Sequence, residues 1–310
     1  MLSIKESKDS IPVAYIPEKD RFIYYEDRET PDEENLEQLL EITADVLFDD
    51  NKRKQISAKD TLILESAIEN KKEPKEPRLK RIYEMAINVI AERAGKEYHT
   101  DESVFPCPFI NPKEKQVEVT FVAGPKGSGK STYCSRYCTM WLYFFPDRPI
   151  YLFSRKTEDE VLDNIDTLKR IVIDQSFIEK PMEIEEIKDH DKPVLVIFDD
   201  VDAITDKKLL KAISSLKTQL MEIGRSSNIW MLITAHQLMN YKATRDTINS
   251  SDTIVFFPGN TKYHIKRFLQ TYQGFDKVMV DRVMKLKTRW VALKRSSPAY
   301  IVYEHGAYLV

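Results

Sequence analysis

The stretch VEVTFVAGPKGSGKS, residues 117–131, decides the fold. Its first seven residues are rich in β-formers and predict a strand over 117–123. Residues 124–131, Gly-Pro-Lys-Gly-Ser-Gly-Lys-Ser, then match G-x-x-x-x-G-K-[ST] in full, and a predicted helix leaves them. Three glycines let the backbone wrap a phosphate chain with its N–H groups turned inward. The helix start adds partial positive charge at the same place. On this pattern Gly124, Pro125, Lys126, Gly127, Ser128, Gly129, Lys130, Ser131 and Thr132 form a cradle for the triphosphate of ATP. Lys130 reaches the β- and γ-phosphates, and the Ser131 hydroxyl ligates Mg²⁺. Lys126 either adds charge to the loop or stands in solvent.

A cradle of this kind needs a carboxylate opposite it, and VLVIFDD at 194–200 supplies one. The run before Asp199 is apolar and largely β-branched, which predicts a buried strand. Ligands of an open α/β sheet sit at the C-terminal ends of its strands. Asp199 is placed to hold Mg²⁺ through water. Asp200 either positions and deprotonates an attacking water or caps the turn that follows; its side chain is shorter than the Glu often found there. Asp202 reads as a surface or capping residue.

Outward from these motifs, further β-rich runs occur at 150–154, 229–235 and 253–258, with helical stretches between most of them. Four of the five runs are nearly continuous in apolar residues, as in parallel strands buried on both faces. The alternation predicts a three-layer α/β domain on a parallel sheet over 116–310. Its end, from Arg289, predicts an antiparallel hairpin turning at Ser-Ser-Pro. Residues 1–115 predict an acidic, mostly helical accessory module. Its short β-prone run is at 22–25, and helices are expected near 31–47, 57–70 and 78–94, broken by two prolines at 71–77.

Composition narrows the class. The 310 residues are 42% apolar and 31% charged, a globular balance. Residues 1–115 carry 19 basic and 26 acidic side chains; residues 238–310 carry 12 and 5. No apolar run reaches the roughly 18 to 20 residues that span a bilayer, and MLSIKESKDS lacks the apolar segment of a secretory signal. Cys107, Cys134 and Cys138 are too few for a disulfide framework and suit a reducing compartment. Cys134 and Cys138 stand one helical turn apart, but no CxxC or His cluster completes a zinc site.

The order GPKGSGKS, a strand ending in Ser154, VLVIFDD, GRSSNIWMLITAHQ (224–237) and a TIVFFP strand resembles the virion DNA-packaging ATPases of poxviruses and other nucleocytoplasmic large DNA viruses, in the FtsK/HerA superfamily of P-loop NTPases. The resemblance covers about 116–310 and does not extend to the first 115 residues. It implies an additional-strand, RecA/FtsK-like sheet and a ring-forming homo-oligomer that hydrolyses ATP with Mg²⁺ to drive double-stranded DNA into a capsid. In such ATPases a polar residue at the tip of the strand between the two motif strands senses the γ-phosphate. Thr234, His236 and Gln237 are the candidates, with Gln237 favoured and His236 next. Arg225, at the far end of that strand, is implied to act in trans on a neighbouring subunit, the alternative being a surface ion pair.

Translocation needs a surface that grips phosphates without reading bases. Lys262, Lys266 and Arg267 on one predicted helix, and Lys285, Lys287 and Arg289 beyond it, are candidates; solvated basic faces are the plain alternative. Capsid protein is a further implied partner, the virion or host-cell cytoplasm the implied location, and no membrane span is expected. Competing readings are a helicase- or secretion-type motor and a small-molecule kinase, although no Arg-rich lid is visible.

Overall fold

The computed structural model describes residues 1–27, 57–83 except Lys71, Arg78 and Arg81, 95–113, 117–189, 192–239, 244–259 and 262–310. Their strands, numbered along the chain, are β1 (Leu2–Ser3), β2 (Ile11–Ile16), β3 (Arg21–Tyr25), β4 (Glu97–His99), β5 (Phe105–Pro106), β6 (Val119–Ala123), β7 (Ile150–Ser154), β8 (Leu168–Val172), β9 (Val194–Asp199), β10 (Ile229–Ala235), β11 (Thr253–Phe256), β12 (Val291–Lys294), β13 (Tyr300–Tyr303) and β14 (Gly306–Leu309), and their helices are α1 (Ala58–Glu69), α2 (Lys130–Phe144), α3 (Gln175–Glu179), α4 (Ile184–Ile187), α5 (Lys207–Ile223), α6 (Arg245–Ser250), α7 (Lys262–Thr271) and α8 (Lys277–Lys285).

A ten-stranded sheet runs in the order β4-β14-β13-β12-β11-β6-β10-β9-β7-β8. The six strands from β11 to β8 are parallel, and β4, β14, β13 and β12 extend them in antiparallel pairing. The decisive feature is β10, which lies between β6 and β9 and pairs with both. This is the additional-strand arrangement of the P-loop fold. It brings the C-terminal ends of the two motif strands to one rim of the sheet, one strand apart.

Two buried layers follow from the parallel strands being apolar on both faces. On one face pack α5 (Lys207–Ile223), α7 (Lys262–Thr271) and α8 (Lys277–Lys285). In α5, Leu209, Ile213, Leu216 and Leu220 recur at helical spacing and are buried. Asp206 caps that helix, accepting from the N–H groups of Lys208 and Leu209 at 2.8 and 3.0 Å. On the other face α2 (Lys130–Phe144) buries Tyr133, Cys134, Tyr137, Cys138 and Trp141. The spacing of Cys134 and Cys138 is therefore that of a core stripe, and burial pushes both thiols up.

The described part of the first 115 residues holds strands beside a helix, where the sequence predicts mostly helices. β1, β3, β2 and β5 form a four-stranded antiparallel sheet, while β4 joins the main sheet through β14. Phe22 meets the rings of Tyr143 and Phe144 on α2 at 5.4 and 5.7 Å, so this small sheet covers the helix that leaves the glycine loop. The helix expected over 57–70 is α1 (Ala58–Glu69), with the Ser57 hydroxyl accepting from the Asp60 N–H at 3.2 Å. The helix expected over 31–47, and most of that over 78–94, lie outside the described residues. The terminal hairpin proves to be three strands, β12 to β14.

A buried polar cluster ties these parts together at the rim opposite the glycine loop. Glu118 accepts from Tyr137 Oη at 3.0 Å and the Phe109 N–H at 3.1 Å, and its carboxylate lies 3.5 Å from Lys294 Nζ on β12. Buried charges persist only when paired and hydrogen-bonded in this way. The cluster thereby fixes α2, and the loop before it, against the start of β6.

Candidate active site

The glycine loop adopts the conformation its sequence demands. Gly127 and Gly129 have φ of +78° and +104°, a region that side chains disfavour. Gly129 caps α2 without any side-chain bond, leaving the first-turn N–H groups to an anion. The Ser128 hydroxyl is buried and has no hydrogen-bond partner. Lys130 is buried, and its Nζ donates to the Gly124 carbonyl at 2.9 Å and lies 3.4 Å from Asp200 Oδ1. Open amides, an orphaned hydroxyl and a buried ammonium fit a polyphosphate. Lys126 is exposed on the same cleft.

Gly124 has a separate reason to lack a side chain. A Cβ there would meet Phe257 Cδ2 at 2.5 Å and Ser128 Oγ at 2.6 Å. Gly124→Ala is therefore expected to push the loop off its Phe257 floor and weaken binding of an ATP analogue by about tenfold or more. Titration with a fluorescent nucleotide checks this, with thermal melting to show that the fold survives.

β9 delivers the two aspartates. Asp199 is buried at the strand end, where it accepts from Ser154 Oγ at 3.0 Å and lies 3.0 Å from Thr234 Oγ1. Asp200 leaves the strand at φ 48°, ψ 37°, a left-handed conformation that turns its carboxylate toward Lys130. It stands at the N-cap of the short turn Val201–Ala203, yet its side chain makes no capping bond. Its N–H donates to Thr234 Oγ1 at 2.8 Å, so Thr234, at the tip of β10, clamps both aspartates in place. Ser131 and Asp199 offer a hydroxyl and a carboxylate, hard oxygen donors of the kind that would suit a divalent cation.

His236 and Gln237 separate clearly. His236 lines the cleft, with Nε2 3.5 Å from Asp200 Oδ2 and Nδ1 3.7 Å from Asp202 Oδ1. Its N–H also donates to Asp202 Oδ2 at 3.2 Å. Gln237 is exposed and does not line the cleft. The turn after β10 thus presents His236, rather than Gln237, to Asp200. Arg225 is exposed in the turn before β10, at the opposite rim. Seven strand residues at about 3.3 Å each put it roughly 20 Å from this cleft.

The motif reading missed Lys156 and Asp159, in the loop after β7. Ser131 Oγ donates to Asp159 Oδ2 at 3.3 Å, and Lys156 Nζ lies 3.4 Å from Asp199 Oδ2 and 3.6 Å from Asp159 Oδ2. The available signal was positional: Arg155 and Lys156 directly follow the end of a buried parallel strand. A second cleft of about 570 Å³ adjoins the loop on its other side. It shares Gly127, Gly129 and Thr132 with the first and adds Arg136, Arg289 and Trp290. Arg289 therefore stands beside the loop, apart from the outward face of α7.

No protein-family model matches this sequence. A relative from Sputnik virophage, "Uncharacterized protein V3", is 33% identical over 223 residues, covering 71% of this chain and 87% of the relative. The chain belongs to the V3 family. Among solved structures, the V3-family chain is similar to the genome packaging NTPase B204 from Sulfolobus turreted icosahedral virus 2 in complex with ATP-gammaS. That match has 13% identity and a TM-score of 0.41, over 61% of this chain and 96% of the other. It is also similar to the pCW3 conjugation coupling protein TcpA, with 14% identity and a TM-score of 0.41, over 69% and 66%. Among the described residues of the V3-family chain, no helix is long and apolar enough to cross a membrane.

Proposed function

We propose that this V3-family protein is an ATP-hydrolysing motor that moves double-stranded DNA into a capsid at the site of virion assembly. One observation carries the reading: Lys130, Ser131, Asp199 and Asp200 converge on one cleft at the C-terminal rim of β6 and β9. Lys130 stabilises charge on the phosphoryl group in flight, and Asp200 orients water and takes its proton. Mg²⁺ held by Ser131 and Asp199 would neutralise the β- and γ-oxygens when bound. His236 is the polar tip residue that reports the γ-phosphate to Asp200.

The DNA part rests on charge and placement. Lys262, Lys266 and Arg267 are exposed on α7, and Lys285, Lys287 and Arg289 follow on and after α8. They lie in the segment where basic residues outnumber acidic ones 12 to 5. Some are already engaged: Lys266 lies 3.9 Å from Asp281 and Arg289 3.9 Å from Glu304. Arg225 is exposed and far from its own cleft, as a residue serving a neighbour in a homo-oligomeric ring would be. Capsid protein is the partner such a ring would dock on.

Steady-state phosphate release with and without duplex DNA tests the reading. Duplex of unrelated sequences is expected to stimulate turnover equally, and the stimulation is expected to fade between about 50 and 200 mM salt, as phosphate contacts do. ATPase activity indifferent to duplex DNA would leave a P-loop hydrolase and remove the DNA motor.

A further inference from the structure

Two side chains outside every motif, Lys156 and Asp159, contact Asp199 and Ser131. Ser154 and Asp199 are paired residues of adjacent strands. The Lys156 N–H donates to Ser154 Oγ at 3.2 Å, and that hydroxyl donates on to Asp199 at 3.0 Å. Strand pairing thus delivers Lys156 to Asp199. Its Nζ lies 3.4 Å from Asp199 Oδ2 and 3.6 Å from Asp159 Oδ2, and the same Asp159 oxygen accepts from Ser131 Oγ at 3.3 Å.

The loop that carries this pair is built into the fold. Asp159 Oδ1 accepts from the N–H groups of Val161 and Leu162, both at 3.1 Å, and the Asp159 N–H donates to Asp163 Oδ2 at 2.7 Å. Asp163 pairs with Arg170 of β8, which also donates to the Lys156 carbonyl at 2.9 Å. Asp159 is 11% exposed and has no room to leave; the Lys156 side chain is 50% exposed and does. Partial burial, which lowers the Lys156 pKa, is outweighed by Asp199 and Asp159, which hold it above its ordinary value.

We propose that Lys156 is a built-in competitor of Mg²⁺: its ammonium bridges Asp199 and Asp159 until a divalent cation replaces it, whereupon Asp159 joins Ser131 and Asp199 as an oxygen donor. The inference rests on the nucleotide-site reading. Lys156 also lines the cleft that receives the phosphates. A metal arriving alone must evict an ammonium, whereas a metal arriving with a polyphosphate offers that ammonium a new anion. Metal and nucleotide therefore help each other to bind, through Lys156, in the reciprocal sense that linkage requires.

Mn²⁺ binding to the full chain, followed by the free-ion electron paramagnetic resonance signal with and without a non-hydrolysable ATP analogue, tests this. Without nucleotide, Lys156→Gln is expected to bind Mn²⁺ about five- to tenfold more tightly than the parent protein, allowing for solvent screening of a half-exposed charge. Lys156→Arg, which keeps the charge, is expected to bind as weakly as the parent. Asp159→Asn is expected to weaken Mn²⁺ binding in the presence of the analogue. Equal Mn²⁺ affinity in Lys156→Gln and the parent, or in Asp159→Asn and the parent, overturns the proposal. Failure of the nucleotide-site reading looks different: the parent would bind no analogue, or Lys130→Ala would bind it equally well.

Discussion

Lys130→Ala is expected to lower ATP turnover by a factor of about 10³ or more while the protein stays folded. Among the described residues, Lys126, Lys130, Arg155 and Lys156 border the cleft. Only Lys130 is buried among them, and only its ammonium is fixed by the loop itself, through the Gly124 carbonyl at 2.9 Å. A charge already desolvated and aimed costs no reorganisation when negative charge builds on the phosphoryl oxygens, so its loss falls on the transition state. Nucleotide affinity should fall less than turnover, because the amides of Gly127 to Ser131 remain. The cost to the fold is small: Lys130 makes one bond to a carbonyl and one ion pair, at 3.4 Å to Asp200. A thermal midpoint within a few degrees of the parent is expected. Lys130→Arg should not rescue, because a planar guanidinium cannot fit the space of a buried ammonium beside Gly124. Phosphate-release kinetics and a fluorescent-nucleotide titration read both quantities; turnover within tenfold of the parent would move the site elsewhere.

The parallel core was legible because burial on both faces leaves an unambiguous apolar signature. The runs at 150–154 and 229–235 are β7 and β10 residue for residue, and 194–200 overshoots β9 by Asp200 alone. β8 escaped notice for the complementary reason. It is the edge strand, none of its five residues is buried, and Leu-Lys-Arg-Ile-Val mixes charge into the run. β2, Ile11–Ile16, was hidden by Pro12 within it, which breaks the reading of a strand. β4 owes its existence to pairing with β14, more than 200 residues away in the chain. No local pattern carries that information.

The meeting of the glycine loop and both aspartates at one cleft was legible because the motifs fix residue type at set spacing. What lay beyond was decided by turns. Whether His236 or Gln237 faces Asp200 depends on one residue of rotation after β10, and the bond from the His236 N–H to Asp202 settles it. Asp202, read from sequence as a surface or capping residue, is thus an anchor for that turn. Lys156 and Asp159 obey no spacing rule; they arrive through the register of β7 against β9 and through Arg170 on β8.

Asp200→Asn separates catalysis from binding. The carboxylate has one oxygen 3.4 Å from Lys130 Nζ and 3.1 Å from Thr234 Oγ1, and the other 3.5 Å from His236 Nε2. Asparagine tolerates the left-handed backbone that Asp200 adopts. It is also isosteric, and its N–H keeps the bond to Thr234. The substitution therefore removes charge and basicity and little else. Turnover should fall by about 10² to 10⁴, the range for loss of a positioned proton acceptor, while a nucleotide analogue binds within a few-fold of the parent. The variant should hold ATP without cleaving it, which filter retention of labelled ATP measures beside phosphate release. If Asp200 merely shaped the turn, turnover would survive, since Asn shapes that turn equally well and the side chain makes no capping bond there. Hydrolysis within tenfold of the parent would then leave His236, the polar residue after β10 that lines the cleft, to orient the water.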